Sequence, residues 1–306
     1  MLAYVHSMPR GALLDPGALV ASLASTFADG AWIYIAGPLG GALCAGLLFR
    51  FTHPSELARP ASAVLVPLRE TMAPFVIEML GTFFLCFTVA TAASPSNPSN
   101  LAPLAVSAML VAQVYAGGPT SGGHYNPAVT LAIFVRRALS SDRSNTLPLP
   151  TAFGYVLVQC VAAGLAAFLT SRLPSITPGY PVPAVSDGLA VAAEAVGTFV
   201  LVSVVLQVAT ALKTAGNSFF GLAIGGAVGA MAGTLEGVSG AAFNPAVGLL
   251  GLAAADWSSL ASLAAACNWV YTVGPCIGAL LATAVYRVVS FDEFAPLSTT
   301  KSMSMM

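Results

Sequence analysis

Two nine-residue segments carry the side chains of this chain that are best suited to chemistry, and they are near copies of each other. The first runs over 121–129 (SGGHYNPAV) and the second over 239–247 (SGAAFNPAV). Each contains an Asn-Pro-Ala triplet: Asn126, Pro127 and Ala128 in the first, Asn244, Pro245 and Ala246 in the second. Proline lacks an amide hydrogen and disfavours helix in the preceding residue, so each asparagine is expected where a helix begins. Helix starts expose amide hydrogens and partial positive charge, and an asparagine amide adds a donor, so both sites suit a passing oxygen atom.

The composition indicates a membrane protein. The chain has 306 residues, of which 57% are hydrophobic and 8% charged, whereas about 25% of a globular chain is charged. Several apolar runs reach the roughly 20 residues that cross a bilayer. We therefore predict an all-α polytopic membrane protein, with no cofactor, no metal site and no disulfide among its five cysteines. The net charge of −1 and the lack of a basic patch argue against a nucleic-acid partner.

Apolar runs predict seven membrane spans, and the two triplets open shorter apolar segments. The half-length segments, 126–136 and 244–254, would each cover about 16 Å, or half of the hydrocarbon layer. Two half-helices that enter from opposite sides would meet near the midplane. The spans are expected at about 31–51, 72–93, 101–117, 151–172, 189–211, 218–235 and 265–289.

A second repeat fixes the arrangement of the two halves. The run from Glu78 to Phe83 (EMLGTF) recurs from Glu194 to Phe199 (EAVGTF), at a similar distance before each asparagine. Each half then holds two spans, a half-helix and a third span, and an odd number of crossings inverts the second half relative to the first. Glu78 and Glu194 lie inside apolar spans, where an ionisable group must find partners. We expect both to be internal struts that accept hydrogen bonds from the loops before the half-helices.

A third repeat concerns the first span, which looks like a copy of the last one. Four residues of the first span, Trp32, Tyr34, Gly37 and Pro38, recur as Trp269, Tyr271, Gly274 and Pro275. Residues 1–60 are therefore interpreted as an additional N-terminal helix, a leftover or a fragment of a tandem unit. A complete channel-like unit would follow over 70–292, with a cytoplasmic tail over 293–306.

The basic residues predict the orientation, because cytoplasmic loops carry an excess of Lys and Arg. With the N-terminus outside and the C-terminus cytoplasmic, nine of the eleven basic residues lie on the cytoplasmic side. Those nine are Arg50, Arg59, Arg69, Arg136, Arg137, Arg143, Lys213, Arg287 and Lys301, and the two outside are Arg10 and Arg172.

The paired motifs and the last span resemble the aquaporin or major intrinsic protein family over roughly residues 72–290. That resemblance implies a right-handed six-helix bundle of inverted repeats with two re-entrant half-helices, usually assembled as a homotetramer in lipid. It also implies a passive channel for water, with glycerol, urea or ammonia as further neutral solutes. Any of several membranes, plasma or intracellular, would suit such a protein.

The expected outer constriction departs from that family. A typical water channel of the family carries an Arg directly after the second Asn-Pro-Ala, where this chain has Val247. Counting back from the motifs places the other three constriction positions on Val106, Ala232 and Ala241. Four small or medium apolar side chains imply a wider and less polar gate than a strict water channel needs.

Two ionisable residues near the expected pore leave alternatives open. Glu236, close to the outer mouth, either draws cations to the entrance or is simply solvated. His124 is either a gate that titrates near pH 6.5 or a packed loop residue that turns its backbone carbonyl to the pore.

Two other classes of function compete with a channel. Gly237 to Gly240 match the Gly-x-Ser-Gly of rhomboid-type proteases, but that serine needs a histidine on a later span. The three histidines, His6, His53 and His124, all precede Ser239, so we predict no enzyme. The remaining alternative is a non-conducting structural membrane protein of the same fold, because a wholly apolar gate can be blocked by dewetting.

Overall fold

The computed structural model describes residues 30, 32–53, 65–97, 99–140 and 146–294, and the regular elements in these ranges are all helices. Contacts divide the chain into two compact units, Met1–Glu70 and Thr71–Met306. Several predicted features lie outside the described residues, namely Arg10, Arg59, Arg143, Lys301, His6 and most of the expected tail.

The first unit contains helix α1, Ile33–Thr52. It matches the predicted first span to within two residues, and it is long and apolar enough to cross a membrane. Most of its side chains are exposed, and Thr52 is buried. Pro38 lies inside the helix, as it does at the corresponding place of the last helix, where Pro275 is also internal.

The second unit contains the helices of both inverted halves. The first half consists of α2 (Leu65–Ala92, which begins before the unit boundary), α3 (Ala102–Ser121), α4 (Pro127–Leu139) and α5 (Leu149–Ser171). The second half consists of α6 (Asp187–Val205), α7 (Phe220–Ser239), α8 (Pro245–Gly248), α9 (Leu260–Ala266) and α10 (Val270–Val289). A π-helical turn, Leu206–Thr210, prolongs α6, and short 3₁₀ turns cover Leu212–Thr214, Leu249–Ala254 and Phe291–Phe294.

Each predicted span corresponds to a helix, although several boundaries move. Among the described residues, six stretches are long and apolar enough to cross a membrane, and α3 is not one of them. The span predicted over 101–117 continues to Ser121, and the one predicted over 218–235 runs to Ser239. The last span begins at Val270 rather than 265, because the Asn268 side chain accepts the Val270 N–H at 3.0 Å and separates α9 from α10.

The two half-helices differ from the predicted equal lengths. The first, α4, has 13 residues and ends at Leu139. The second is α-helical over only four residues, and Leu249–Ala254 continue as 3₁₀ helix. Gly248 packs against Tyr271, and Gly251 against the backbone of Ala266. Glycine weakens α-helix by about 1 kcal/mol relative to alanine, which fits the change of helix type at this point.

Small residues let helices of the second unit pack closely. At Gly274 of α10, an added Cβ would lie 2.6 Å from the Cβ of Glu194 on α6. In a second helix pair, Ser107 of α3 donates a hydrogen bond to the Gly225 carbonyl of α7 at 2.7 Å. Close backbone approach and interhelical hydrogen bonds are the contacts that hold helices together in lipid. These pairs, α6 with α10 and α3 with α7, form the frame around the half-helices.

Candidate functional site

The two half-helices begin at the two asparagines. Asn126 and Asn244 have extended backbone, and a proline occupies the first helical position after each. Each side-chain Oδ1 accepts the N–H of the second residue beyond it, Ala128 at 2.8 Å and Ala246 at 2.9 Å. Each helix therefore starts with an asparagine cap, as the Asn-Pro pairs predict.

The asparagines also bind the opposite half of the molecule. The Asn126 Nδ2 donates to the Phe243 carbonyl at 2.9 Å, and the Asn244 Nδ2 donates to the Tyr125 carbonyl at 2.9 Å. The helix tips of the two halves are thereby joined at their starts, and α4 contacts α8. An amide nitrogen carries two hydrogens, and this reciprocal contact uses one on each side.

A cavity of about 480 Å³ passes this junction. Both asparagines line it, and so do the four residues of the predicted outer constriction. Their part in selecting solutes stays a prediction. The lining of the cavity includes Val106, His124, Tyr125, Asn126, Arg137, Ala232, Glu236, Ala241, Phe243, Asn244 and Val247.

The described lining of the cavity carries two charged residues, Arg137 and Glu236, and they lie at opposite ends. Helices α3 and α7 run antiparallel, since Ser107 lies beside Gly229 and Tyr115 lies beside Gly221. Glu236 lies two turns beyond Gly229, toward the start of α3. Arg137 lies in the last turn of α4, away from the asparagine junction. We call these two openings the Glu236 end and the Arg137 end.

Glu78 supports the loop that leads into α4. It is fully buried, and its carboxylate accepts the Ser121 hydroxyl at 2.8 Å and the N–H groups of His124 and Tyr125 at 2.9 and 2.7 Å. A fourth hydrogen bond comes from the Gln159 amide at 2.9 Å. A buried carboxylate needs this many partners, and the contacts are those expected of an internal strut.

Glu194 has the corresponding place before α8. It accepts the Ser239 hydroxyl at 2.7 Å and the N–H groups of Ala242 and Phe243 at 3.0 and 2.6 Å. Ser239 is thus bound to the strut as Ser121 is, which gives it a structural partner. The same three loop positions donate to the glutamate in each half.

His124 is a packed loop residue. It is 6% exposed, its Nδ1 lies 3.1 Å from the Thr130 hydroxyl, and its ring meets Tyr155 edge-on at 5.3 Å. These contacts favour the packed alternative over a freely titrating gate, although the residue also borders the cavity.

The backbone before each half-helix adopts left-handed conformations at matching positions. Gly122 and Gly240 have φ of 92° and 83°. Tyr125 and Phe243 both have φ of 48°, which is unusual for bulky residues. Their rings pack on Gly81 and Gly197, where a Cβ would overlap the ring atoms. The repeated Gly-Thr-Phe therefore supplies a glycine under each ring.

Sequence reasoning missed the polar residues that span between helices at this site. The Tyr155 hydroxyl donates to the Ser121 carbonyl at 2.8 Å, and the Tyr271 hydroxyl donates to the Ser239 carbonyl at 2.6 Å. Gln159 also bonds Thr130 at 3.1 Å. Two sequence features could have identified these residues. Each is a polar side chain within an apolar span, and Tyr155 and Tyr271 follow Asn126 and Asn244 at similar separations in the sequence.

A buried ion pair lies at the Arg137 end of the bundle. Arg136 donates to the Thr210 carbonyl and to the Glu293 carboxylate, both at 2.9 Å. Glu293 also accepts the Tyr286 hydroxyl at 2.8 Å and the Leu212 N–H at 2.9 Å. The first residue of the expected tail therefore packs against the bundle.

Comparisons with known proteins agree with this geometry. A family model described as Major intrinsic protein matches residues 10–119 and 101–286. The glycerol uptake facilitator protein-like 6 of Lactiplantibacillus plantarum is 29% identical over 231 residues, which cover 72% of this chain and 100% of that protein. Aquaporin NIP1-1 of Zea mays is 31% identical over 263 residues, 82% of this chain and 86% of that protein. The X-ray structure of the aquaglyceroporin from Plasmodium falciparum has a TM-score of 0.53 at 21% identity, covering 69% of this chain and 93% of that one, which shows a shared fold.

Proposed function

The chain belongs to the major intrinsic protein family and is a transmembrane channel for water and small solutes, and we propose that solutes as large as glycerol pass it through the cavity between Asn126 and Asn244. Similarity to a glycerol uptake facilitator supports a permeant larger than water. The observation that carries the proposal is the size and apolar character of the four side chains at the predicted constriction.

The centre of the cavity binds the permeant by its oxygen atoms. The free hydrogens of the Asn126 and Asn244 amides replace hydrogen bonds that a solute loses when it leaves bulk water. The half-helix starts add positive potential at the same place. Neutral solutes pass this point, and cations are repelled.

The width of the entrance follows from Val106, Ala232, Ala241 and Val247, all of which line the cavity. Two are alanines, and Val247 stands where an Arg would place a long charged side chain in the opening. The absence of bulk at these four positions is what admits a three-carbon solute.

Stopped-flow light scattering on proteoliposomes tests this width. The wild-type protein should pass both water and glycerol. Ala232→Phe should lower glycerol permeability about tenfold, because a barrier about 1.4 kcal/mol higher suffices, and should lower water permeability less. Ala230→Phe is the matched control, because Ala230 lies on α7, is exposed and does not line the cavity.

Two outcomes would contradict the proposal at different levels. A wild-type protein that passes water but excludes glycerol would reject the wide gate. Equal losses in the Ala232 and Ala230 variants would show that the phenylalanine acts on folding rather than on the opening.

We also propose that the Arg137 end faces the cytoplasm. Arg136 bonds Thr210 and Glu293, Leu212 bonds the same glutamate, and Arg287 lies 4.5 Å from the ring of Phe294. Basic residues thus gather at this end, as they do on cytoplasmic faces. An epitope tag after Asn217 should be detected only in permeabilised cells, and one after Ser175 in intact cells. The reverse pattern would overturn this orientation.

A homotetramer in lipid is proposed for the assembly. Helix α5 presents Phe153, Leu157 and Val161 along one exposed stripe, at 68%, 54% and 47% exposure. Such a stripe fits lipid or a second copy of the chain. Native mass spectrometry from detergent micelles should give four times the mass of the chain, and a monomer alone would reject the assembly.

A further inference from the structure

The described lining of the cavity contains one carboxylate, that of Glu236, and we propose that it makes this entrance select neutral solutes with paired N–H donors, of which urea is the simplest. The inference rests on the proposed channel function and adds to it a preference among permeants.

Glu236 lies beside two residues of the predicted constriction, Ala232 and Ala241. It follows Ala232 by four residues on α7, so both lie on the same face of the helix. Its backbone carbonyl accepts the N–H of Gly240 at 3.0 Å, which is the residue before Ala241. Ala232, Glu236 and Ala241 all line the cavity.

The Glu236 carboxylate differs from the other two glutamates of the site. Glu78 and Glu194 are buried and accept four and three hydrogen bonds. Glu236 is exposed, and within the described ranges its side chain has neither a hydrogen-bond donor nor an ion-pair partner. Both of its oxygens are therefore available to whatever enters the opening.

The surroundings of Glu236 determine which solutes it helps. The four constriction side chains are apolar, so a solute that enters must give up hydrogen bonds to water. A carboxylate accepts hydrogen bonds, so it can replace the water lost by a donor group of the solute but not the water lost by an acceptor group. Since Val247 stands in place of a cation, acceptor groups find their first strong partners only at Asn126 and Asn244.

Urea fits this order of protein groups, in which the Glu236 carboxylate accepts hydrogen bonds at the entrance and the asparagine amides donate them further in. Its planar N–H groups fit the two oxygens of a carboxylate as a fork, an arrangement that strengthens charge-assisted hydrogen bonds. Its carbonyl oxygen then meets the two asparagine amides at the junction. A polyol presents separate hydroxyl groups without that fork, and a cation attracted to the entrance meets the positive helix starts beyond it.

Permeability ratios in proteoliposomes test the inference. In Glu236→Leu, the urea-to-water ratio should fall about fivefold, the scale of one exposed charge-assisted hydrogen bond, and the urea-to-glycerol ratio should also fall. Glu236→Gln keeps one acceptor oxygen and should fall by less. Asp187→Asn is the matched control, because Asp187 is exposed outside the cavity at the same end, where the nearby Ala184 N–H bonds the Val238 carbonyl at 2.9 Å.

The outcomes separate the inference from the channel function itself. If wild-type protein does not raise water permeability above that of empty liposomes, the proposed channel function fails. If water passes but Glu236→Leu leaves both urea ratios unchanged, or Asp187→Asn lowers them equally, the role of Glu236 is overturned. Thermal unfolding of each purified variant shows whether the substitution has disturbed the fold.

Discussion

The loops before the two half-helices follow the same backbone path, but they are supported by different side chains. In the first half, a polar network joins the strut Glu78 to the helix beyond it. In the second half, the strut Glu194 lacks a fourth donor in the described structure. Aligning the repeats shows why: His124, Thr130 and Gln159 of the first half correspond to Ala242, Gly248 and Pro275 of the second.

Where the first half has hydrogen bonds around its strut and half-helix, the second half has close contacts between glycines and neighbouring side chains. Gly248 packs against Tyr271, and Gly274, next to Pro275, leaves no room for a side chain against Glu194. Its half-helix is also less regular, since α-helix gives way to 3₁₀ helix after Gly248. The loop before Asn126 is therefore held by hydrogen bonds between polar side chains, whereas the loop before Asn244 is held more by close packing of small residues.

Removal of each strut should show the largest difference between the halves. Glu78→Ala removes the acceptor of four hydrogen bonds and Glu194→Ala removes the acceptor of three, and a buried group left unpaired costs about 1–3 kcal/mol. Both variants should lose most folded protein, with Glu78→Ala the more severe. Yield of monodisperse protein and thermal unfolding in detergent measure this order. A Glu194→Ala variant that is less stable than Glu78→Ala would mean that packing in the second half depends more on its strut than the hydrogen bonds indicate.

The caps should respond equally, because here the halves match. Asn126→Ala and Asn244→Ala each remove a cap worth about 1 kcal/mol and one hydrogen bond across the junction. We expect each to lower stability by about 2 kcal/mol and to lower water permeability. Chemical denaturation beside stopped-flow measurements checks both effects. Losses of stability that differ strongly between the two variants would show that the two asparagines do not contribute equally to the junction.

Gln159 offers a smaller change that affects the first half alone. Gln159→Leu removes a donor from Glu78 and a partner from Thr130, and should cost about 1–2 kcal/mol because the side chain is fully buried. The matched Pro275→Ala, at the corresponding place, touches no hydrogen bond of Glu194 and should change stability less. Unfolding temperatures of both variants test this, and a larger loss from Pro275→Ala would contradict polar bracing as the particular feature of the first half.

These contrasts mark the limit of what the sequence predicts. The helix starts and the inverted halves follow from local rules for Asn-Pro pairs and from repeats, and the same repeats single out Asn126, Asn244, Glu78 and Glu194 as candidate residues. The bracing by Gln159 depends on how α5 is rotated about its axis, which an apolar span without strong periodicity does not reveal. The change to 3₁₀ helix after Gly248 likewise depends on contact with Tyr271, far away in the sequence.

The smallest predicted effect concerns the residue three positions before each asparagine, which is Gly123 in the first half and Ala241 in the second. Gly123 and Ala241 correspond and have φ of 64° and 52°, but only glycine adopts such angles without steric cost, which for other residues is about 1 kcal/mol. Gly123→Ala should therefore lower stability by about 1 kcal/mol, since an added Cβ meets nothing nearer than 3.4 Å. Ala241→Gly should raise stability by less, because glycine also gains freedom in the unfolded chain. Thermal unfolding of the two variants should shift in opposite directions, and shifts of the same sign would mean that packing around Ala241, rather than its backbone angle, determines the outcome. Because Ala241 also lines the cavity, the same substitution removes a methyl group from the opening, so glycerol permeability should rise, whereas Gly123→Ala leaves the four predicted constriction residues unchanged.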